Sequence, residues 1–206
     1  MLLTDGTLTL REFLKHEQVP LAEVFREVLG WLAGRADVVL FGAHAVNAYC
    51  DVERMTEDVD VLSTNAESLA DELRRHLADR LHMSVRVGTL SSGALRVYQV
   101  LESKNRHLVD VRQVDRLPDF REFEGVRVVT PPELVARKVI AMSARRARPK
   151  GATDLADIER MLLAFPELKR HDGPVDQRLR GLGAPPAALE AWRDMVERVI
   201  EADEDD

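Results

Sequence analysis

The sequence has a single cysteine, Cys50, among its 206 residues. One thiol excludes an intramolecular disulfide and a zinc site built from several thiolates, and it is typical of a reducing compartment. No run of about 18 apolar residues occurs, so no membrane-spanning helix is predicted. The first residues lack a basic segment followed by an apolar stretch, which argues against a secretory signal. These absences together predict a cytoplasmic protein.

The sequence also has fewer basic residues than acidic ones. Lysine and arginine number 29 against 36 aspartates and glutamates, which gives a formal net charge of −7. Indiscriminate binding to nucleic acid is therefore not favoured, although an acidic protein can still carry a local basic patch. Apolar residues make up 45% of the chain, an ordinary share for a globular protein that buries a core.

Hydrophobic periodicity predicts helices toward both ends of the chain and strands in its centre. Strands are expected at 38–41, 59–62, 83–87, 95–100, 107–114 and 126–129. Helices are expected from Thr9, from Pro20, at 43–49, from Thr64, from Thr130, at 154–165 and at 187–202, with a loop at 171–186. The threonines at 9, 64 and 130 each precede a glutamate by three residues, which is capping-box spacing. This order predicts an α+β fold with domains at 1–129 and 130–206.

Two aspartates interrupt one of the apolar strands, in the sequence Asp58-Val59-Asp60. Residues two apart on a strand share a face and lie about 6.6 Å apart. Two carboxylates on one face repel each other, and a divalent cation would supply the missing positive charge. An isolated pair of this kind is more often explained by an exposed edge strand, which is the alternative here.

Asp110 is a third acidic interruption, in the segment Leu108-Val109-Asp110-Val111. If its strand pairs beside the first one, three carboxylates face the same point. Oxygen donors of this kind suit hard cations such as magnesium, or manganese in its place. The alternative is an exposed aspartate on an alternating strand.

Further candidates for binding phosphate lie on either side of these carboxylates. Gly42 and Ala43 follow the apolar strand at 38–41 and enter a helix, whose first N–H groups can approach a phosphate. Arg54 is a candidate for phosphate contact or for an ion pair with a neighbouring acid. Lys138 and Arg145 are two helical turns apart, about 10.5 Å along one face, which suits a triphosphate or an RNA backbone. A solvated basic helix end is the alternative for that pair.

This ordered set of motifs resembles the nucleotidyltransferases of the DNA polymerase β superfamily. The matching segments are the glycine turn 40–43, the Asp-x-Asp at 58–60 and the apolar-flanked Asp110. Within that superfamily the chain is similar to the AbiEii-like toxin branch, to which residues 42–49, 54–58, Leu134, Lys138, Ala141, Arg145, Lys150 and Asp154 also correspond. Two positions depart from the pattern. Ala43 replaces a second glycine or a serine, and Gly151 stands where an aspartate is frequent.

The resemblance implies an α+β nucleotidyltransferase-fold core, a mixed sheet flanked by helices, with a helical C-terminal part. It implies magnesium-dependent transfer of a nucleoside monophosphate from a triphosphate such as ATP to a hydroxyl of RNA, tRNA or protein, in a toxin–antitoxin system with an antitoxin partner. Asp58, Asp60 and Asp110 would be the catalytic metal ligands, and the nucleotide would contact Gly42, Ala43, Arg54, Lys138 and Arg145. A small-molecule nucleotidyltransferase, of the kind that modifies aminoglycosides, and a non-catalytic binding protein of the same fold are the alternatives.

Overall fold

A computed structural model describes residues 19–50, 54–102 and 104–201. Its helices are α1 (Leu21–Leu32), α2 (Gly42–Tyr49), α3 (Ala66–Leu81), α4 (Pro131–Ala144), α5 (Pro149–Ala164), α6 (Pro174–Gly181) and α7 (Pro186–Glu197), with a short 3-10 helix at Pro166–Leu168. Its strands are β1 (Val38–Phe41), β2 (Val59–Ser63), β3 (Val85–Thr89), β4 (Leu95–Gln99), β5 (Arg106–Gln113), β6 (Phe120–Phe123) and β7 (Val126–Val129). The helix predicted from Thr9 lies outside the described residues.

The strands form one mixed sheet in the order β3-β4-β5-β2-β1-β7-β6. Strand β2 runs parallel to β5 and β1 runs parallel to β7, whereas β1–β2, β3–β4 and β4–β5 are antiparallel. All four residues of β1 are buried, as expected for a continuous apolar run in the middle of a sheet. The predicted α+β class with a mixed sheet and flanking helices is confirmed.

The described residues fall into two compact units. The first comprises 19–44 and 54–128 and contains most of the sheet with α1 and α3. Helix α3 places Leu69, Leu73 and Leu77 in its core at four-residue spacing, the predicted apolar stripe. The second comprises 45–50 and 129–201, in which α4 packs against α5, α6 and α7 around residues such as Leu134, Ile158 and Trp192. The domain limits 1–129 and 130–206 remain predictions.

Two elements were not expected from the sequence pattern. Residues 171–186 were predicted to be loop, but α6 lies within them because Pro174 starts a helix after Gly173 and Val175 and Leu179 are buried. Strand β6 joins β7 through Glu124 and Gly125, both of which have positive φ, at 49° and 81°. A two-residue turn of this conformation is a common hairpin connection, normally signalled by asparagine or aspartate before the glycine.

The capping box expected at Thr64 is also wrong. Helix α3 begins at Ala66, and Asn65 occupies the N-cap position without a side-chain cap bond. The amide of Ala66 donates instead to Oε1 of Gln113 at 2.8 Å, so a distant strand satisfies the helix terminus. At Thr130 the helix begins at the predicted position, with Pro131 first, but again without a side-chain cap bond. Within the described residues, no helix has the length and apolar character needed to cross a membrane.

Candidate active site

The register of the sheet brings the central aspartates together on neighbouring strands. Asp60 of β2 is paired with Phe41 of β1 on one side and with Asp110 of β5 on the other. Asp110 is in turn directly opposite Arg96 of β4. Directly opposed residues point to the same face of a sheet, so the side chains of Asp60, Asp110 and Arg96 form one row across three strands. The predicted pairing of the Asp110 strand beside Asp60 is therefore confirmed. Asp58 lies immediately before β2.

Gly42 joins β1 to α2 in a conformation that brings its main chain against Asp60. Its φ is +75°, and a Cβ built there would lie 2.3 Å from Oδ2 of Asp60. A side chain at this position is excluded both by the backbone conformation and by the carboxylate. The glycine turn and the first aspartate of the sheet are thus in direct contact, with the N-terminal residues of α2, Gly42 and Ala43, beside them.

Asp110 is buried and makes a bidentate ion pair with Arg96. Nε of Arg96 donates to Oδ1 at 2.7 Å, and a terminal guanidinium nitrogen donates to Oδ2 at 2.6 Å. The hydrogen bonds to Asp110 raise the pKa of Arg96 against the opposing effect of burial, and the charges of Asp110, Asp58 and Asp60 add to the increase. Sequence reasoning missed Arg96, because only the register of β4 against β5 identifies its partner.

A histidine accompanies this pair without adding charge. Nε2 of His107 lies 3.4 Å from a guanidinium nitrogen of Arg96. Burial, and secondly the positive charge of Arg96, lower the pKa of His107. The row of strand side chains therefore has Arg96 as its cation at neutral pH.

His44 and Arg54 lie near the start of α2. The His44 ring packs edge-on against Phe25 with centroids 4.8 Å apart, and burial, with a smaller contribution from the charge of Arg54, lowers its pKa to about 4. A neutral imidazole is poorly suited to holding phosphate by charge. A terminal nitrogen of Arg54 donates to the carbonyl of Met55 at 3.1 Å. The nucleotide-binding assignment of Arg54 stays a prediction.

Lys138 and Arg145 belong to a buried ion-pair network of the second unit. Nζ of Lys138 donates to Asp154 at 3.1 Å and to Asp157 at 2.6 Å. Nε of Arg145 donates to the other oxygen of Asp154 at 2.8 Å. Both predicted nucleotide-binding cations thus have their charges balanced by carboxylates within the unit. Their role toward a nucleotide stays a prediction.

Gly151 has a steric explanation in the same region. A Cβ at this residue would lie 2.3 Å from the carbonyl oxygen of Arg145. The backbone preceding α5 therefore passes too close for any side chain at this position. The departure from the resemblance at Gly151 is thus required by the packing of the α4–α5 connection.

The aspartates match magnesium in donor type but not in their present arrangement. Carboxylate oxygens are the ligands that this cation prefers. Within the part of the chain that the structure describes, however, no three acidic, histidine or cysteine side chains are grouped closely enough to hold one ion. Asp110, the third carboxylate of the predicted set, has both oxygens bonded to Arg96. Its metal-ligand role, like those of Asp58 and Asp60, stays a prediction.

Two solved structures have a similar fold. A polyadenylate synthase from Megavirus superposes with a TM-score of 0.59 at 13% identity, over 80% of this chain and 37% of that one. The protein JHP933 from Helicobacter pylori superposes with a TM-score of 0.54 at 16% identity, over 89% of this chain and 78% of that one. The chain thus spans little more than a third of the viral enzyme. No curated protein sequence matches significantly.

The mixed sheet of this chain, which has a glycine turn against an aspartate on a central strand, therefore shares its fold with these two structures. A family model described as "Nucleotidyl transferase AbiEii toxin, Type IV TA system" matches residues 26–205, which is most of the chain. The chain therefore belongs to the AbiEii family of nucleotidyl transferase toxins.

Proposed function

We propose that this protein transfers a nucleoside monophosphate from a nucleoside triphosphate, such as ATP, to an acceptor hydroxyl, with the aid of magnesium or manganese. The observation that carries the proposal is the direct pairing of Asp60 with Asp110 in the sheet, with Gly42 in contact with Asp60. Placing two carboxylates opposite each other on central strands costs stability even with Arg96 bonded to one of them, and such a cost is typical of a functional site.

The proposed reaction is an in-line displacement at the α-phosphorus. The acceptor oxygen forms a bond to that phosphorus, the bond from phosphorus to the bridging oxygen breaks, and pyrophosphate leaves. The hydroxyl proton passes to the carboxylate of Asp110 and from there to water. The N–H groups of Gly42 and Ala43 would orient the phosphates. Asp58 and Asp60 would hold a divalent cation, which neutralises the charge of the triphosphate when bound. Asp110 keeps one lone pair on each oxygen beside its bonds to Arg96, so it would accept a hydrogen bond from the acceptor hydroxyl and help to activate it.

The proposed acceptor is RNA, including the end of a tRNA, with protein as a second target. Of the cations in 135–150, three arginines and lysines are exposed and have no acidic partner among the described residues: Arg146, Arg148 and Lys150. Unpaired cations at this spacing suit the phosphates of a nucleic acid. Membership of a type IV toxin family supports a toxin role and an antitoxin protein as partner. A cytoplasmic location remains a prediction of the sequence.

The direct test is label transfer. The protein is incubated with magnesium, each α-labelled triphosphate in turn, and total cellular RNA and protein as acceptors. We expect label in RNA or protein, and a loss of at least a hundredfold in Asp58→Asn and Asp60→Asn. Asp119→Asn, which changes an exposed aspartate in the same unit, is the matched control and should keep full activity. Transfer that survives both active-site substitutions would refute the mechanism.

The same assay separates the alternatives. Label that appears on an added aminoglycoside, and not in RNA or protein, would identify a small-molecule nucleotidyltransferase. Triphosphate binding without transfer to any acceptor would identify a non-catalytic binding protein. The pairing of Asp110 with Arg96 is the observation that favours the non-catalytic alternative, because it leaves the third carboxylate engaged.

A further inference from the structure

Arg96 occupies the position at which a cation would meet Asp110. Its side chain is 21% exposed and that of Asp110 is 9% exposed, so the pair is largely withdrawn from water. Two parallel N–H donors meet the two carboxylate oxygens, at 2.7 and 2.6 Å. Planar guanidinium–carboxylate pairs of this geometry are among the strongest ion pairs, and partial burial reduces competition from solvent.

The charge of Arg96 acts on the other aspartates as well. Its pKa is raised first by its hydrogen bonds to Asp110, against desolvation, and then by the charges of Asp110, Asp58 and Asp60. Arg96 is therefore within electrostatic reach of all three carboxylates.

We propose that Arg96 keeps Asp110 out of the metal site, so that the protein binds one divalent cation, at Asp58 and Asp60, while the guanidinium serves as the fixed counter-cation of Asp110. Arg96 is thus a positioning residue that acts through Asp110. Its removal converts Asp110 into a metal ligand. This inference rests on the proposed function for the presence of the cation, but it assigns a role that the family resemblance did not include.

The first test measures binding of manganese alone by isothermal titration calorimetry. Arg96→Gln is expected to bind manganese at least tenfold more tightly than wild type, because it frees Asp110. The double variant Arg96→Gln, Asp110→Asn should return to within about threefold of wild type. The two side chains have no net charge in wild type, where they form an ion pair, and none in the double variant, where both are uncharged amides. Arg116→Gln is the matched control. It removes one exposed arginine from the same unit, outside the strands that carry the aspartates, so it should change the affinity less than threefold.

The second test uses only the wild-type protein and does not depend on a variant folding. Arg96 and Arg35 both donate from Nε to an aspartate, at 2.7 Å and 3.1 Å. The Nε–H resonances of both arginines are followed by ¹⁵N NMR during a magnesium titration. The Arg96 signal should persist at saturation, like that of Arg35, since the pair stays intact. Loss of the Arg96 signal alone would show that the metal displaces the guanidinium, and it would overturn the inference.

The outcomes separate the inference from the proposed function. Equal or weaker manganese binding in Arg96→Gln would overturn the inference, and so would a double variant that binds far more weakly than wild type. Neither result decides the outcome of the label-transfer assay, which tests the proposed function separately. Absence of divalent-cation binding in every protein of the set would overturn both this inference and the metal dependence of the proposed function.

Discussion

At the scale of single residues, Gly42 has two reasons to be glycine, and they can be separated. Its φ of +75° is strained for other residues, and a Cβ would collide with Asp60. Gly34 has almost the same φ, +77°, but nothing lies within 4 Å of its Cβ position. We expect Gly34→Ala to lose about 1–2 kcal/mol of unfolding free energy from conformation alone. Gly42→Ala should lose at least about 1 kcal/mol more, because Asp60 must also move.

The measurement is urea unfolding of both variants and wild type under identical conditions. Equal losses for Gly42→Ala and Gly34→Ala would contradict the close contact between Gly42 and Asp60. The comparison is informative because both glycines lie in the first unit and the two substitutions are chemically identical.

His44 makes the stability of the fold depend on pH. Its pKa is lowered from 6.5 to about 4, first by burial and then by Arg54. In the folded state it stays neutral between these values, whereas in the unfolded state it binds a proton below about 6.5. The unfolded state therefore gains protons as the pH falls from 6.5 to 4, and the folded state loses up to about 3 kcal/mol of stability over that range.

The contribution of His44 is isolated by measuring unfolding free energy from pH 7 to pH 4 in wild type and in His44→Phe. We expect the variant to lose less stability over this range, because phenylalanine cannot be protonated. Parallel curves for the two proteins would show that His44 titrates normally. Other histidines contribute equally to both curves, so they cancel in the difference.

The residues of the site differ in how far their sequence context identifies them. Asp60 and Asp110 interrupt apolar strands, and that pattern was sufficient to predict their pairing. Arg96 stands in an alternating strand where a charged residue is unremarkable. Its partner depends on the register of β4 against β5, which shifts between Val97 and Tyr98. No local pattern contains that information.

At the scale of elements, the network between α4 and α5 is expected to be essential for the fold. Lys138 is buried, and its two partners, Asp154 and Asp157, are buried as well. Lys138→Met would remove the cation that both carboxylates share. Asp154 keeps its bond to Arg145, so the main cost is the lost 2.6 Å bond to the buried Asp157, about 3 kcal/mol. Arg146→Met, an exposed change on the same connection, should alter stability by less than about 0.5 kcal/mol. Chemical unfolding compares them, and similar small effects would mean that the network contributes little.

As with the residues of the site, the elements that the sequence predicts have a local signal, and the elements that it misses do not. Strand β1 and helix α3 were predicted because continuous apolar runs and four-residue stripes are local signals. Strand β6 was missed because its residues are mostly exposed, so they show no alternation. Helix α6 was missed because the glycines and prolines around it are typical of a loop. Burial of Val175 and Leu179 by the other helices of the unit stabilises it.

At the scale of the whole molecule, the net charge of −7 bears on how an RNA acceptor is recognised. An acidic protein repels nucleic acid at long range, so binding must depend on local cations. Replacing Arg146, Arg148 and Lys150 together with glutamine should weaken RNA binding and reduce the slope of log affinity against log salt. Electrophoretic or fluorescence titrations at several salt concentrations would measure both quantities. An unchanged slope would exclude this segment as the phosphate contact.

Binding of the triphosphate couples the site to global stability. A ligand that binds only the folded protein adds about 2.7 kcal/mol at a hundred times its dissociation constant. Magnesium and a non-hydrolysable triphosphate should therefore raise the unfolding free energy of wild type and of the exposed control Asp119→Asn. The gain should disappear in Asp58→Asn and Asp60→Asn, because the cation that links protein and phosphates loses a ligand. Stabilisation by triphosphate that persists in both variants, with transfer abolished, would place the nucleotide outside these aspartates while leaving them required for the reaction.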